Sequence, residues 1–143
     1  MKLDLIYIFL ANLRITFIGV NNSFDLRAKL ISCIAGVVKD ERQDLKRKIE
    51  QLSKEIYKKE IKRRIFLATI YQYIKYIKQD TMGVDNILKG IKKLTKQNPK
   101  LKRKINFVQL DRLVLKKSIK EGESEIEDFA QIRVLEFLKN EVI

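Results

Sequence analysis

The chain has 143 residues, 31 Lys and Arg against 18 Asp and Glu, a net charge of +13 and no His. A hydrophobic fraction of 45% argues against a disordered chain, and the length suits one helical domain over residues 1–143 with a sizeable core. A lone cysteine, Cys33, excludes a disulfide framework and a thiolate zinc site; the missing His excludes imidazole ligands and His-based nucleophile systems; and no GxxxxGK or GxGxxG loop occurs to cradle phosphate.

Residues 3–20 are the most apolar stretch. Asp4, Asn12, Arg14 and Thr16 scatter around it, so a helix here would be buried on most sides. The spacing favours that helix, while its β-branched and aromatic content also permits strands at Leu5–Phe9 and Arg14–Val20. Asp4 and the lack of an A-x-A site argue against a signal peptide. Asn12 and Arg14 interrupt the run before the ~20 apolar residues a membrane span requires. The expectation is a cytoplasmic protein without a membrane span.

Asn21-Asn22-Ser23 offers a helix start, and Leu26, Leu30, Cys33, Ile34 and Val37 follow at helical spacing. Cys33 falls on that apolar face, where a buried small hydrophobe is expected rather than a reactive thiol. Asp40 with Gln43 resembles a capping box. Leu45, Ile49, Leu52 and Ile56 then form a short a/d stripe whose phase slips near Tyr57–Glu60, so a break is expected there. Apolar residues from Ile61 to Ile77 cover more than half the helix circumference, which predicts the central core helix.

Asp80-Thr81-Met82-Gly83 is a turn. Residues 84–97 make an amphipathic helix, with Val84, Ile87, Leu88, Ile91 and Leu94 on one side and lysines on the other, and Asn98-Pro99 stops it. Asn106 with Gln109 predicts a further helix, with Gly122 just past its C-terminal end. Ser124 with Glu127 predicts a capping box for a last helix bearing Ile126, Phe129, Ile132, Leu135 and Leu138. The expected fold is all-α, a compact bundle of six or seven helices, with an extended segment allowed at the N-terminus.

The charge is uneven. Residues 121–143 carry −5 and residues 1–120 carry +18, while the window from Lys75 to Lys104 alone holds +8. The candidate binding residues are Arg64, Tyr71, Lys75 and Lys78 on the Ile61–Ile77 helix, and Lys89, Lys92, Lys93 and Lys96 on the next. They continue through Lys100, Lys102, Arg103 and Lys104, with Arg112, Lys116 and Lys120 on one side of the helix after. Such side chains neutralise phosphates by counterion release, and Tyr71 beside Lys75 offers a stacking ring. A lysine-rich helix face in an ordinary protein is more often just a solvated face. Concentration over a third of the chain favours a non-catalytic, sequence-independent nucleic-acid-binding module, DNA or RNA, within a larger assembly. The alternative is a helical interaction or oligomeric assembly subunit, facing an acidic protein or another copy of itself. No cofactor, metal or catalytic residue is expected, since the acids Glu121–Asp128 lie in sequence order and do not converge from separate elements.

Overall fold

The computed structural model describes residues 22–40, 42–118 and 125–142. The expectations for residues 3–20, and those resting on Asn21, Lys120, Gly122 and Ser124, lie outside these.

The fold is all-α. Among the described residues it comprises α1 (Asn22–Gly36), α2 (Gln43–Ile56), α3 (Glu60–Gln79), α4 (Gly83–Gln97), α5 (Phe107–Asp111) and α6 (Phe129–Phe137). A 3₁₀ segment, Pro99–Lys104, links α4 to α5, and a π-helical turn, Leu138–Val142, continues α6. One three-residue ladder pairs β1 (Lys116–Ser118) antiparallel with β2 (Glu125–Glu127), with Lys116 opposite Glu127.

The central helix is α1, not the Ile61–Ile77 segment. Phe24, Leu26, Ala28 and every residue from Leu30 to Gly36 are buried, with α3, α4, α6 and the 3₁₀ segment packed around them. Small residues permit this: a Cβ on Gly36 would stand 2.9 Å from Ile77 Cδ1. α3 must instead keep Lys62, Arg63, Arg64 and Lys75 near water, so it lies on the outside of α1, and Ile61 is 63% exposed. Cys33 is fully buried, and burial pushes its thiol well above the ordinary range.

The break between α2 and α3 falls where the apolar phase slips. Its cause is Tyr57, which leaves the helix in extended conformation and turns inward. Its ring packs edge-on to Phe66 at 4.9 Å and lies 5.5 Å from Phe24, and Phe24 meets Phe66 at 5.3 Å. The Leu45, Ile49 and Leu52 stripe of α2 is buried within the chain.

Four local expectations are corrected. Asp40 does not cap α2, which begins after Arg42 without a side-chain cap. There the Arg42 guanidinium pairs with Asp44 at 2.8 Å, and Asp44 also accepts the Leu45 amide at 3.0 Å. Desolvation works against ionisation of Asp44, but these hydrogen bonds outweigh it and lower its carboxyl.

The helix opening at Asn106 is real, with the Asn106 side chain accepting the Gln109 amide at 3.2 Å, but it ends at Asp111. Leu113, Val114 and Leu115 are all buried, and the Leu115 amide and carbonyl bond to Gln131 and Asp128 in place of helical partners. Arg112 and Lys116 therefore share no helical face.

The last helix does not open at Glu125–Glu127, which forms β2, but after Asp128, which accepts the Gln131 amide at 3.1 Å. Its buried side carries Gln131, Val134, Leu135, Leu138 and Val142, while Phe129 is 75% exposed. Ile126 belongs to β2.

The preference for Gln131 over Phe129 inside has a physical reason. The Gln131 side-chain amide donates to the Ile34 carbonyl at 3.0 Å and the Leu113 carbonyl at 2.8 Å, and its oxygen accepts the Leu115 amide at 2.7 Å. Ile34 lies in the last turn of α1, where carbonyls lack helical partners, so a buried glutamine satisfies what an apolar residue would leave open.

Candidate nucleic-acid interface

α4 begins tightly against α3. A Cβ on Gly83 would stand 2.7 Å from the Ile77 Cα and 3.0 Å from the Tyr76 carbonyl oxygen, so the turn into α4 requires glycine. Asp85 in the first turn and Lys96 in the last suit the helix dipole. Ile87, Leu88, Ile91 and Thr95 are buried. The opposite side, Asn86, Lys89, Lys92, Lys93 and Lys96, is exposed, as the amphipathic pattern predicts. The run Asn86–Lys89–Lys93 holds one line for about 10 Å along the axis.

Pro99 ends α4 and starts the 3₁₀ segment. Buried Leu101 anchors that segment to the core, leaving Lys100, Arg103 and Lys104 exposed and Lys102 half-buried. From Gly83 to Lys104 there are eight basic residues and one acid, Asp85. One further acid reaches this surface: Glu141 of the π-helical turn lies 3.4 Å from Lys92, with both side chains about half exposed.

The four candidates on α3 fall elsewhere. Arg64 pairs with Glu60 at 2.7 Å one helical turn away. Tyr71, Lys75 and Lys78 line a cavity of about 510 Å³ between the C-terminal half of α3, the start of α2 and the end of α1. Its wall also holds Leu45, Ile49, Ile74, Arg42 and Lys46. The Lys78 ammonium donates to the Val38 carbonyl at 2.6 Å, and Tyr71 is half-buried with its hydroxyl inward. A ring so placed is a wall of this cavity, not an outward stacking platform.

Arg112 is likewise committed: its guanidinium meets Glu55 through two hydrogen bonds of 3.0 Å, across a second groove of about 600 Å³ between α2 and residues 109–116. The Arg112 hydrogen bonds lower the Glu55 carboxyl below its ordinary range. Lys116 lines the same groove.

Two residues bearing on the basic face escape a reading of the sequence. Glu141 lies 49 positions from Lys92. Tyr76, on α3, is 37% exposed, and its hydroxyl accepts a hydrogen bond from the Asn86 amide at 2.8 Å. It follows Lys75 directly, yet projects towards α4 because successive helical residues point about 100° apart.

Among the described residues no group of three or more acids and cysteines could hold a metal ion, and no helix is long and apolar enough to cross a membrane. No protein-family model matches the chain, and neither a curated protein nor a solved structure matches it at a significant level.

Proposed function

We propose that this protein is a non-catalytic, phosphate-directed nucleic-acid-binding module whose contact surface is the outer face of α4 and the 3₁₀ segment after it. The observation that carries the reading is the continuity of Lys89, Lys92, Lys93, Lys96, Lys100, Lys102, Arg103 and Lys104 on two consecutive elements, seven of them exposed. Long aliphatic stems with terminal ammonium groups suit phosphates at variable positions, so binding is largely indifferent to sequence. The cavity residues Tyr71, Lys75 and Lys78, and the paired Arg64 and Arg112, are left out of this surface. A single buried thiol suits a reducing, cytoplasmic compartment.

Fluorescence anisotropy with single- and double-stranded DNA and RNA, at rising salt, tests the proposal. Expected is micromolar affinity that falls steeply with salt, and a shallower salt slope when Lys92, Lys93 and Lys96 are together changed to Glu. No binding of any probe at low ionic strength overturns it. Light scattering on the same samples then tests the alternative, an assembly subunit.

A further inference from the structure

We infer that Tyr76 is the base-stacking residue of this surface, and that the ligand class is single-stranded nucleic acid. The inference rests on the nucleic-acid reading above and sharpens it. A basic face alone binds duplex and single strand through the same phosphates; an exposed aromatic ring at its end discriminates, because only unpaired bases offer a free π-face.

Three observations place Tyr76 there. Its side chain is partly open to solvent, whereas Tyr57 is buried and Tyr71 and Tyr73 are half-buried. Its hydroxyl is held at 2.8 Å by Asn86, which stands on the same line of α4 as Lys89 and Lys93, so the ring is pinned at the N-terminal end of the lysine row. Met82, at the helix start four residues before Asn86, is 47% exposed and adds an apolar shoulder to that end. A strand whose phosphates follow Lys89, Lys93 and Lys96 thus reaches a ring held by its own hydroxyl, with little side-chain freedom left to lose on binding.

The test compares the intact chain with Tyr76→Ala and Tyr76→Phe. The probes are fluorescein-labelled oligothymidylate and oligouridylate of roughly 15 nucleotides, and a DNA duplex of equal charge. Expected is a loss of at least about fivefold in single-strand affinity for Tyr76→Ala, unchanged duplex affinity, and a clearly smaller loss for Tyr76→Phe, which keeps the ring but not the hydroxyl held by Asn86. Far-ultraviolet circular dichroism establishes that both variants are folded. Single-strand affinity of Tyr76→Ala within twofold of the parent overturns the inference and leaves the nucleic-acid reading standing. Equal losses on duplex and single strand, or a Tyr76→Phe as weak as Tyr76→Ala, also overturn it, since either shows a loss not owed to the ring. No binding of any probe to the parent overturns both.

Discussion

Gln131 and Ile34 stand 97 positions apart and are joined by a 3.0 Å hydrogen bond inside the core. The same side chain also serves Leu113 and Leu115, so one buried amide ties α1, the non-helical segment before β1, and α6. Replacing it with leucine keeps the approximate volume and strands two carbonyls and one amide. Gln131→Leu is expected to cost about 3 kcal/mol, given roughly 1–3 kcal/mol for each buried unsatisfied group and some relaxation. A lower urea midpoint at unchanged slope is the expected result; an unchanged midpoint would show that the three backbone groups find other partners.

Gly83 and Gly90 lie on one helix and should respond oppositely to alanine. At Gly83 the new methyl meets the α3 backbone, which cannot turn aside, so Gly83→Ala should destabilise by about 1–3 kcal/mol. At Gly90 the nearest atom is the Lys29 ammonium at 3.4 Å, the end of a flexible chain. Gly90→Ala should therefore stabilise by up to about 1 kcal/mol through helix propensity. Thermal melts of both variants check the pair; a drop in Tm for Gly90→Ala would contradict the expectation.

The Glu55–Arg112 contact predicts an acid dependence. The folded carboxyl titrates below its unfolded value, so the stabilisation is complete above about pH 4.3 and is lost as pH falls through the lower folded value. Glu55→Gln should be less stable than the parent at neutral pH, and the gap should close on acidification. Urea midpoints measured from pH 7 downward decide it. A gap that persists in strong acid would assign the effect to something other than this carboxylate.

Much of the fold is legible in the sequence because helical spacing reports burial directly: the α4 amphipathicity, the α2 stripe and the break at Tyr57 all follow from it. Failures occur where tertiary partners override the local pattern. Gln131 is buried because backbone groups from distant segments need it, a demand invisible in the sequence around α6. Leu113–Leu115 leaves the helix for a similar reason, with the Leu115 amide and carbonyl claimed by Gln131 and Asp128. On α4, helical spacing puts Lys89, Lys92, Lys93 and Lys96 on the exposed side, where the structure has them. Charge density carries no direction, so it does not separate Tyr71, which lines a cavity, from Tyr76, which hydrogen-bonds Asn86 of α4.

Glu141 opposes the basic face at Lys92. Removing its charge should raise nucleic-acid affinity about twofold at low salt, in keeping with the small worth of an exposed pair, and the gain should fade as salt rises. Anisotropy titrations of Glu141→Gln beside the parent measure this. Unchanged or weaker affinity at low salt would show that Glu141 does not compete for Lys92.

Cys33 should ignore a thiol reagent in the folded protein, because its sulfur is buried and its thiolate strongly disfavoured. Ellman's reagent should react only across the urea transition that circular dichroism reports. Fast reaction under native conditions would reveal local opening of α1.

The position of α1 has a consequence during synthesis. The innermost helix among the described residues is made well before the residue that satisfies its Ile34 carbonyl, which comes 97 residues later. At 5–20 residues per second the Ile34 carbonyl waits roughly 5–20 s for Gln131. Through that interval α1 is a nascent apolar segment without its final cover, and its safe passage depends on whatever holds it until α6 emerges.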